Sequence, residues 1–204
     1  MLQQHKNQII KVRRFFHYDL WVFSKVNLTK LENLWKMHNN DFALFKLREF
    51  LLNMKVPQIF DDSRSFRVTG IIPKTMKLAA EEFPCKFGAQ VLEGLKLYEN
   101  GKANRHYCVL SEILEESSNN VIATEVPIWK FRNGTKPVCG HIDAIEYCNP
   151  HIYVWDFKPD ALQEDARAQV YFYKRILCDL LGLNHDLVRC GWFDVERMFV
   201  VKET

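Results

Sequence analysis

Apolar positions recur along this chain with two different periods, and the switches between them mark the predicted elements. In the first half the spacing is helix-like. Ile9, Ile10, Val12, Phe15, Phe16, Leu20 and Phe23 predict a helix over 5–24, with Lys6, Lys11, Arg13 and Arg14 interleaved. Asn27 or Thr29 can cap a short helix over Leu31, Leu34 and Trp35, and Asn40 one through Phe42, Leu44, Phe45, Leu47, Phe50 and Leu51, ended by Pro57. Residues 58–75 read as loop or short strand, and Thr75 starts a helical stretch interrupted at Pro84.

In the second half the period shortens. Residues 86–100 are predicted helical, with Gly101 as a left-handed stop. Strands are expected over 107–113, 121–131, 138–147 and 152–157, with Asn133-Gly134 as a hairpin turn. A helix over 161–181 stops at Gly182, and strands over 187–192 and 197–201 close the chain.

The segment from Gly140 to Lys158 is the most informative. Asp143 lies on one predicted strand, Asp156 and Lys158 at the end of the next, and Asn149-Pro150 marks the turn. Residues two apart on a strand share a face, so Asp156 and Lys158 point the same way. A hairpin centred between Asn149 and Pro150 sets Asp143 opposite Asp156. Opposed Cβ atoms sit about 4.5–5.5 Å apart, where like charges destabilise the pair. A divalent cation converts that repulsion into coordination, and oxygen donors of this kind suit Mg²⁺ or Mn²⁺.

The 204 residues and 48% hydrophobic content fit one domain with an elaborated end. A basic N-terminal extension over 1–75 (13 Lys+Arg against 6 Asp+Glu) precedes a core over 76–204 (15 against 19). A basic arm on an acidic core fits an enzyme that meets phosphates with one half and holds metal with the other. No apolar run reaches the ~18 residues of a membrane span. The N-terminus is polar, so a soluble intracellular protein is expected, in the host cytoplasm if the chain is viral. The six cysteines form no C-x2-C pair, which disfavours a zinc ribbon or an iron–sulfur cluster. Cys139 and Cys148 flank one hairpin and leave a disulfide open.

From about residue 86 to 192 the sequence resembles the PD-(D/E)xK nuclease superfamily, through Asp143, Asp156-Phe157-Lys158 and Gln169-x3-Tyr173. The last element is typical of the RecB-type branch. The helix over 86–100, with Glu93, resembles the first helix of archaeal Holliday-junction resolvases, and the whole is similar to nucleases of archaeal spindle-shaped viruses. The Pro of the family name is absent, since Ile142 precedes Asp143, and no first-motif His is evident.

The resemblance implies an α/β restriction-endonuclease-like αβββαβ core with a mixed central sheet flanked by helices, following a helical N-terminal extension. It implies DNA as partner, a homodimer if the chain acts as a resolvase, and hydrolysis of phosphodiester bonds. Glu93, Asp143, Asp156 and the Phe157 carbonyl would hold the metal; Glu81, Glu82 and Glu125 compete with Glu93. Lys158 would stabilise charge on phosphate and orient or deprotonate water, and Gln169 and Tyr173, four apart on one helix face, would touch phosphate or water. Lys6, Lys11, Arg13, Arg14, Arg167 and Lys174 are candidates for backbone contacts with DNA. Trp21 and Trp35 are stacking or core residues, and His141 supports Asp143 or the fold. Two other readings stay open: a catalytically silent DNA-binding protein, and an oligomeric interaction module on the same scaffold.

Overall fold

The computed structural model describes residues 8–17, 20–57, 66–67, 78–101, 104–131 and 138–202, without the side chains of 13–22 and 66–67. The chain runs β1 (Ile9–His17), β2 (Leu20–Asn27), α1 (Leu28–Met37), α2 (Phe42–Asn53), β3 (Phe66–Arg67), β4 (Ala79–Pro84), α3 (Gly88–Glu99) and α4 (Arg105–Glu115). It continues with β5 (Val121–Lys130), β6 (Val138–Cys148), β7 (His151–Phe157), α5 (Arg167–Leu181), β8 (Val188–Phe193) and β9 (Arg197–Lys202). The nine strands form one mixed sheet in the order β1-β2-β5-β6-β7-β8-β9-β4, with β3 beside β6 off that path. The β7–β8 and β3–β6 pairs are parallel. This is an α/β fold. No helix among the described residues is long and apolar enough to cross a membrane.

Helices cover both faces. Leu31, Leu44, Leu47, Leu51, Val170 and Leu177 of α1, α2 and α5 bury against Ile122, Ile145 and Val154. On the other face Val91 of α3 and Val109, Leu110, Ile113 and Leu114 of α4 bury against Ala144, Trp155, Phe157 and Phe193. A full set of buried Leu, Ile and Val side chains of this size stabilises by roughly 1.5–3 kcal/mol each. The second layer depends on Gly94: a Cβ there would meet Val109 Cα at 2.5 Å, so only glycine lets α3 and α4 approach this closely. Gly182 ends α5 in the left-handed conformation (φ +63°).

The hairpin register matches the one read from the turn. The pairs run from Cys148–His151 through Glu146–Tyr153 to Ala144–Trp155, which places Asp143 and Asp156 one step further on. Asn27 caps α1 as expected, while α2 is capped by Asp41 rather than Asn40.

Three expected elements differ. Residues 9–17 and 20–27 form two paired antiparallel strands, not a helix: the segment is rich in β-branched and aromatic residues, and β2 pairs with β5 at Lys25–Thr124 and Val26–Ala123. The N-terminal segment therefore contributes β1 and β2 to the main sheet besides the two helices α1 and α2. Residues 105–115 form a helix, not a strand. Asn104 accepts a hydrogen bond from the Tyr107 N–H at 2.9 Å, and Cys108, Val109, Leu110, Ile113 and Leu114 repeat at helical spacing. Residues 79–84 form a strand along β9 despite their Ala and Glu content, because sheet pairing over six residues overrides helix propensity. The Asn133-Gly134 turn lies outside the described residues. All six cysteines are free; Cys139 and Cys148 stand near opposite ends of one extended strand, beyond disulfide reach.

Candidate active site

The β6–β7 ladder stops at Ala144–Trp155, and there the sheet opens. In place of a backbone carbonyl, the Asp143 carboxylate accepts the Phe157 N–H at 2.8 Å. On the other side of Asp143, β5 pairs Thr124 with Ala144 and Val126 with Ile142, so Glu125 falls opposite Asp143. Three carboxylates thus stand abreast on three adjacent strands. Asp143 and Asp156 are each only 2% exposed, and Glu125 8%. Glu125 has φ +54°, the sole non-glycine residue at positive φ among those described. Such strain persists where its surroundings enforce it, often at functional sites.

Three cationic side chains and one amide converge on this row. His106, on the first turn of α4, places Nε2 2.8 Å from Asp143 Oδ2. His141, two residues before Asp143 on β6, has Nε2 3.3 Å from Asp143 Oδ1 and 3.2 Å from Glu125 Oε2. Lys158 Nζ lies 2.7 Å from Asp156 Oδ2. Gln169, on α5, donates to Asp156 Oδ1 at 3.0 Å and to the Tyr173 hydroxyl at 2.9 Å.

The titration behaviour follows from this packing. Burial alone would raise the Asp143 carboxyl, but His106 and His141 outweigh it and hold it well below the ordinary range. Asp156 is pushed up to about 6 by burial and the Asp143 charge, against the pull of Lys158. Burial also raises Glu125. Burial works against the charge on His106, His141 and Lys158, yet their carboxylate neighbours raise all three, His106 to about 9. The ammonium of Lys158 is therefore held charged.

Of the residues expected at the site, Asp143, Asp156, Lys158, Gln169 and Tyr173 come together, beside the Phe157 backbone. Glu93 does not: its carboxylate is exposed on α3 and pairs with Lys96 at 2.7 Å. Glu81 and Glu82 sit on β4, at the far edge of the sheet, paired with Lys202 and Arg197. Glu125 is the acid that joins the two aspartates.

The expected phosphate contacts divide. Lys174 is completely buried between α5 and the sheet, which depresses its pKa and removes it from any surface a phosphate could reach. Arg167 lies at the start of α5, donating to the Leu78 carbonyl and Asp165, each at 2.8 Å. Lys11 is exposed with Nζ over the Phe23 ring. Lys6 lies outside the described residues, as do the side chains of Arg13, Arg14 and Trp21. Trp35 packs on Phe45 beneath Arg48.

His106 is the residue the sequence reading missed. It borders a segment read as a strand, and only the helical assignment of 105–115 turns it toward Asp143. No family model matches the sequence, and no match is found among curated proteins.

Proposed function

We propose that this protein is a metal-dependent deoxyribonuclease that hydrolyses phosphodiester bonds. One observation carries the reading: Asp143 and Asp156 are buried where β6 and β7 part, with Lys158 2.7 Å from Asp156. Burying several carboxylates together is unfavourable unless charge is supplied to them. The donor set fits a hard dication: Asp143, Asp156 and the Phe157 carbonyl would offer oxygens, while His106 is hydrogen-bonded to Asp143 Oδ2. Mg²⁺ or Mn²⁺ held there would supply Lewis-acid polarisation of a phosphate oxygen and acidify water.

The chain's own groups do the rest. Lys158, held cationic by Asp156, is suited to stabilise negative charge on a phosphate rather than to act as a resting base. Gln169 fixes the Asp156 carboxylate and is itself fixed by Tyr173, so α5 sets the orientation of the strand-end acid. The helix–strand order from α3 to β8 is consistent with the PD-(D/E)xK resemblance, with α4 inserted before the three antiparallel strands. DNA as substrate rests on that resemblance and on the basic residues of the first 75 positions.

The test is cleavage of end-labelled linear, closed-circular, flap and four-way-junction DNA with Mg²⁺ or Mn²⁺, comparing wild type with Asp156→Ala and Lys158→Ala. Metal-dependent cutting lost in both variants is the expected result. The substrate pattern separates an exonuclease from a junction resolvase, which needs two copies. A folded wild type that cuts none of these substrates with either metal overturns the reading. DNA binding on the same samples then separates a silent binder from an interaction module.

A further inference from the structure

We infer that Glu125, His141 and Asp143 form a second cation site, beside the Asp143–Asp156 position, that takes a first-row transition dication of the Mn²⁺ class in preference to Mg²⁺. The inference rests on the nuclease reading only for the first ion. Three ligand atoms, one from each residue, lie within 4.8 Å of one another. Two of the separations, 3.2 Å and 3.3 Å, both centre on His141 Nε2. Ligands about 2.1 Å from a shared ion stand roughly 3.0–3.4 Å apart in octahedral or tetrahedral geometry. Both His141 separations fall in that range, and the two carboxylate oxygens lie within 4.8 Å of each other.

The protein's own hydrogen bonds leave the trio short of donors. Glu125 is more than nine-tenths buried, yet its Oε2 accepts no hydrogen bond, although His141 Nε2 lies 3.2 Å away. A single ring N–H between two carboxylates can serve one of them well, not both. A dication bound to the imidazole nitrogen answers both carboxylates at once. Asp143 can serve two positions because its oxygens are divided: Oδ1 faces His141, while Oδ2 faces His106 and the Phe157 N–H. The mixed donor set sets the preference: an imidazole nitrogen favours first-row transition dications over Mg²⁺, and Mn²⁺ is the member of that series that also suits two carboxylates.

The experiment counts Mn²⁺ bound to metal-free protein by electron paramagnetic resonance, without DNA or turnover. It uses wild type, Glu125→Gln, His141→Gln, Asp156→Asn and Asp156→Asn/His141→Gln, each checked for folding by circular dichroism. Wild type is expected to bind two ions, each single variant one, and the double variant none. The ion left in Asp156→Asn should show coupling to a ring nitrogen and resist displacement by excess Mg²⁺. If Glu125→Gln and His141→Gln both keep two ions, the trio is an internal ion-pair network only and the inference is overturned. One ion in wild type, lost through Asp156→Asn alone, also overturns it. A folded wild type that loses one ion in Glu125→Gln and His141→Gln but cleaves no DNA overturns the nuclease reading and leaves the second site standing.

Discussion

Glu146 and Asp143 lie three residues apart on β6 and are almost equally buried, at 3% and 2% exposure. Around Glu146 each oxygen is answered. Lys86 Nζ reaches both at 2.8 Å and 2.6 Å, and Trp155 Nε1 donates to Oε2 at 2.9 Å. The same Lys86 ammonium lies 5.1 Å and 5.4 Å over the Phe87 and Trp155 rings, so the pair is tied into the α3/α4 layer. Around Asp143 two further carboxylates are pressed in, and Asp156 shows the remaining repulsion as a carboxyl pushed up to about 6. A buried acid is therefore no sign of function by itself. What separates the two regions is whether like charges are crowded together and whether each carboxylate oxygen has a donor, which Glu125 Oε2 does not.

Substitution should separate the two regions in opposite directions. The largest effect is expected at the crowded end. Asp143→Asn should lower metal-dependent cleavage by about 10³-fold or more, read in single-turnover assays. Asp156→Asn should do the same while leaving the metal-free melting temperature unchanged or higher, because a like-charge repulsion is removed. Lys158→Met should reduce cleavage by about 10²–10³-fold with metal binding retained, read by parallel cleavage and metal titration.

Glu146→Gln should do the reverse: a loss of about 1–3 kcal/mol in urea unfolding, with cleavage kept. Equal damage to cleavage from Glu146→Gln and Asp143→Asn would dissolve the contrast.

The smallest expected effect is a pH dependence. His106 is raised from 6.5 to about 9, so its contribution to stability is full below about pH 6.5 and is lost as the pH rises through 9. With about a third of the side chain open to water, solvent screening reduces this to on the order of 1 kcal/mol. Denaturant midpoints of metal-free wild type and His106→Gln should converge at high pH.

The aspartates and their register were legible in the sequence because a hairpin obeys local rules. Alternation names the faces, the turn fixes the centre, and one step of slippage would put Ile145 and Val154 on the wrong side. Gln169 and Tyr173 were legible through their four-residue spacing on a helix. His106 was hidden because the apolar run Cys108-Val109-Leu110 suits a strand as well as a buried helix. Glu125 stood among the competing acids but could not be chosen over Glu93. What selects it is a positive φ and a cross-strand neighbour, neither of which leaves a mark in periodicity. The N-terminal strand pair was missed for a related reason: its partner, β5, lies almost a hundred residues further along the chain.

That partnership bears on how the chain can be divided. The change of charge near residue 75 invites truncation there, yet the cut would strip β1 and β2 from the sheet and leave β5 with bare backbone groups along one side. An exposed edge of this kind recruits other chains and aggregates. The strand laid bare would be the one carrying Glu125, so a shortened protein would lose solubility and the alignment of its carboxylates together.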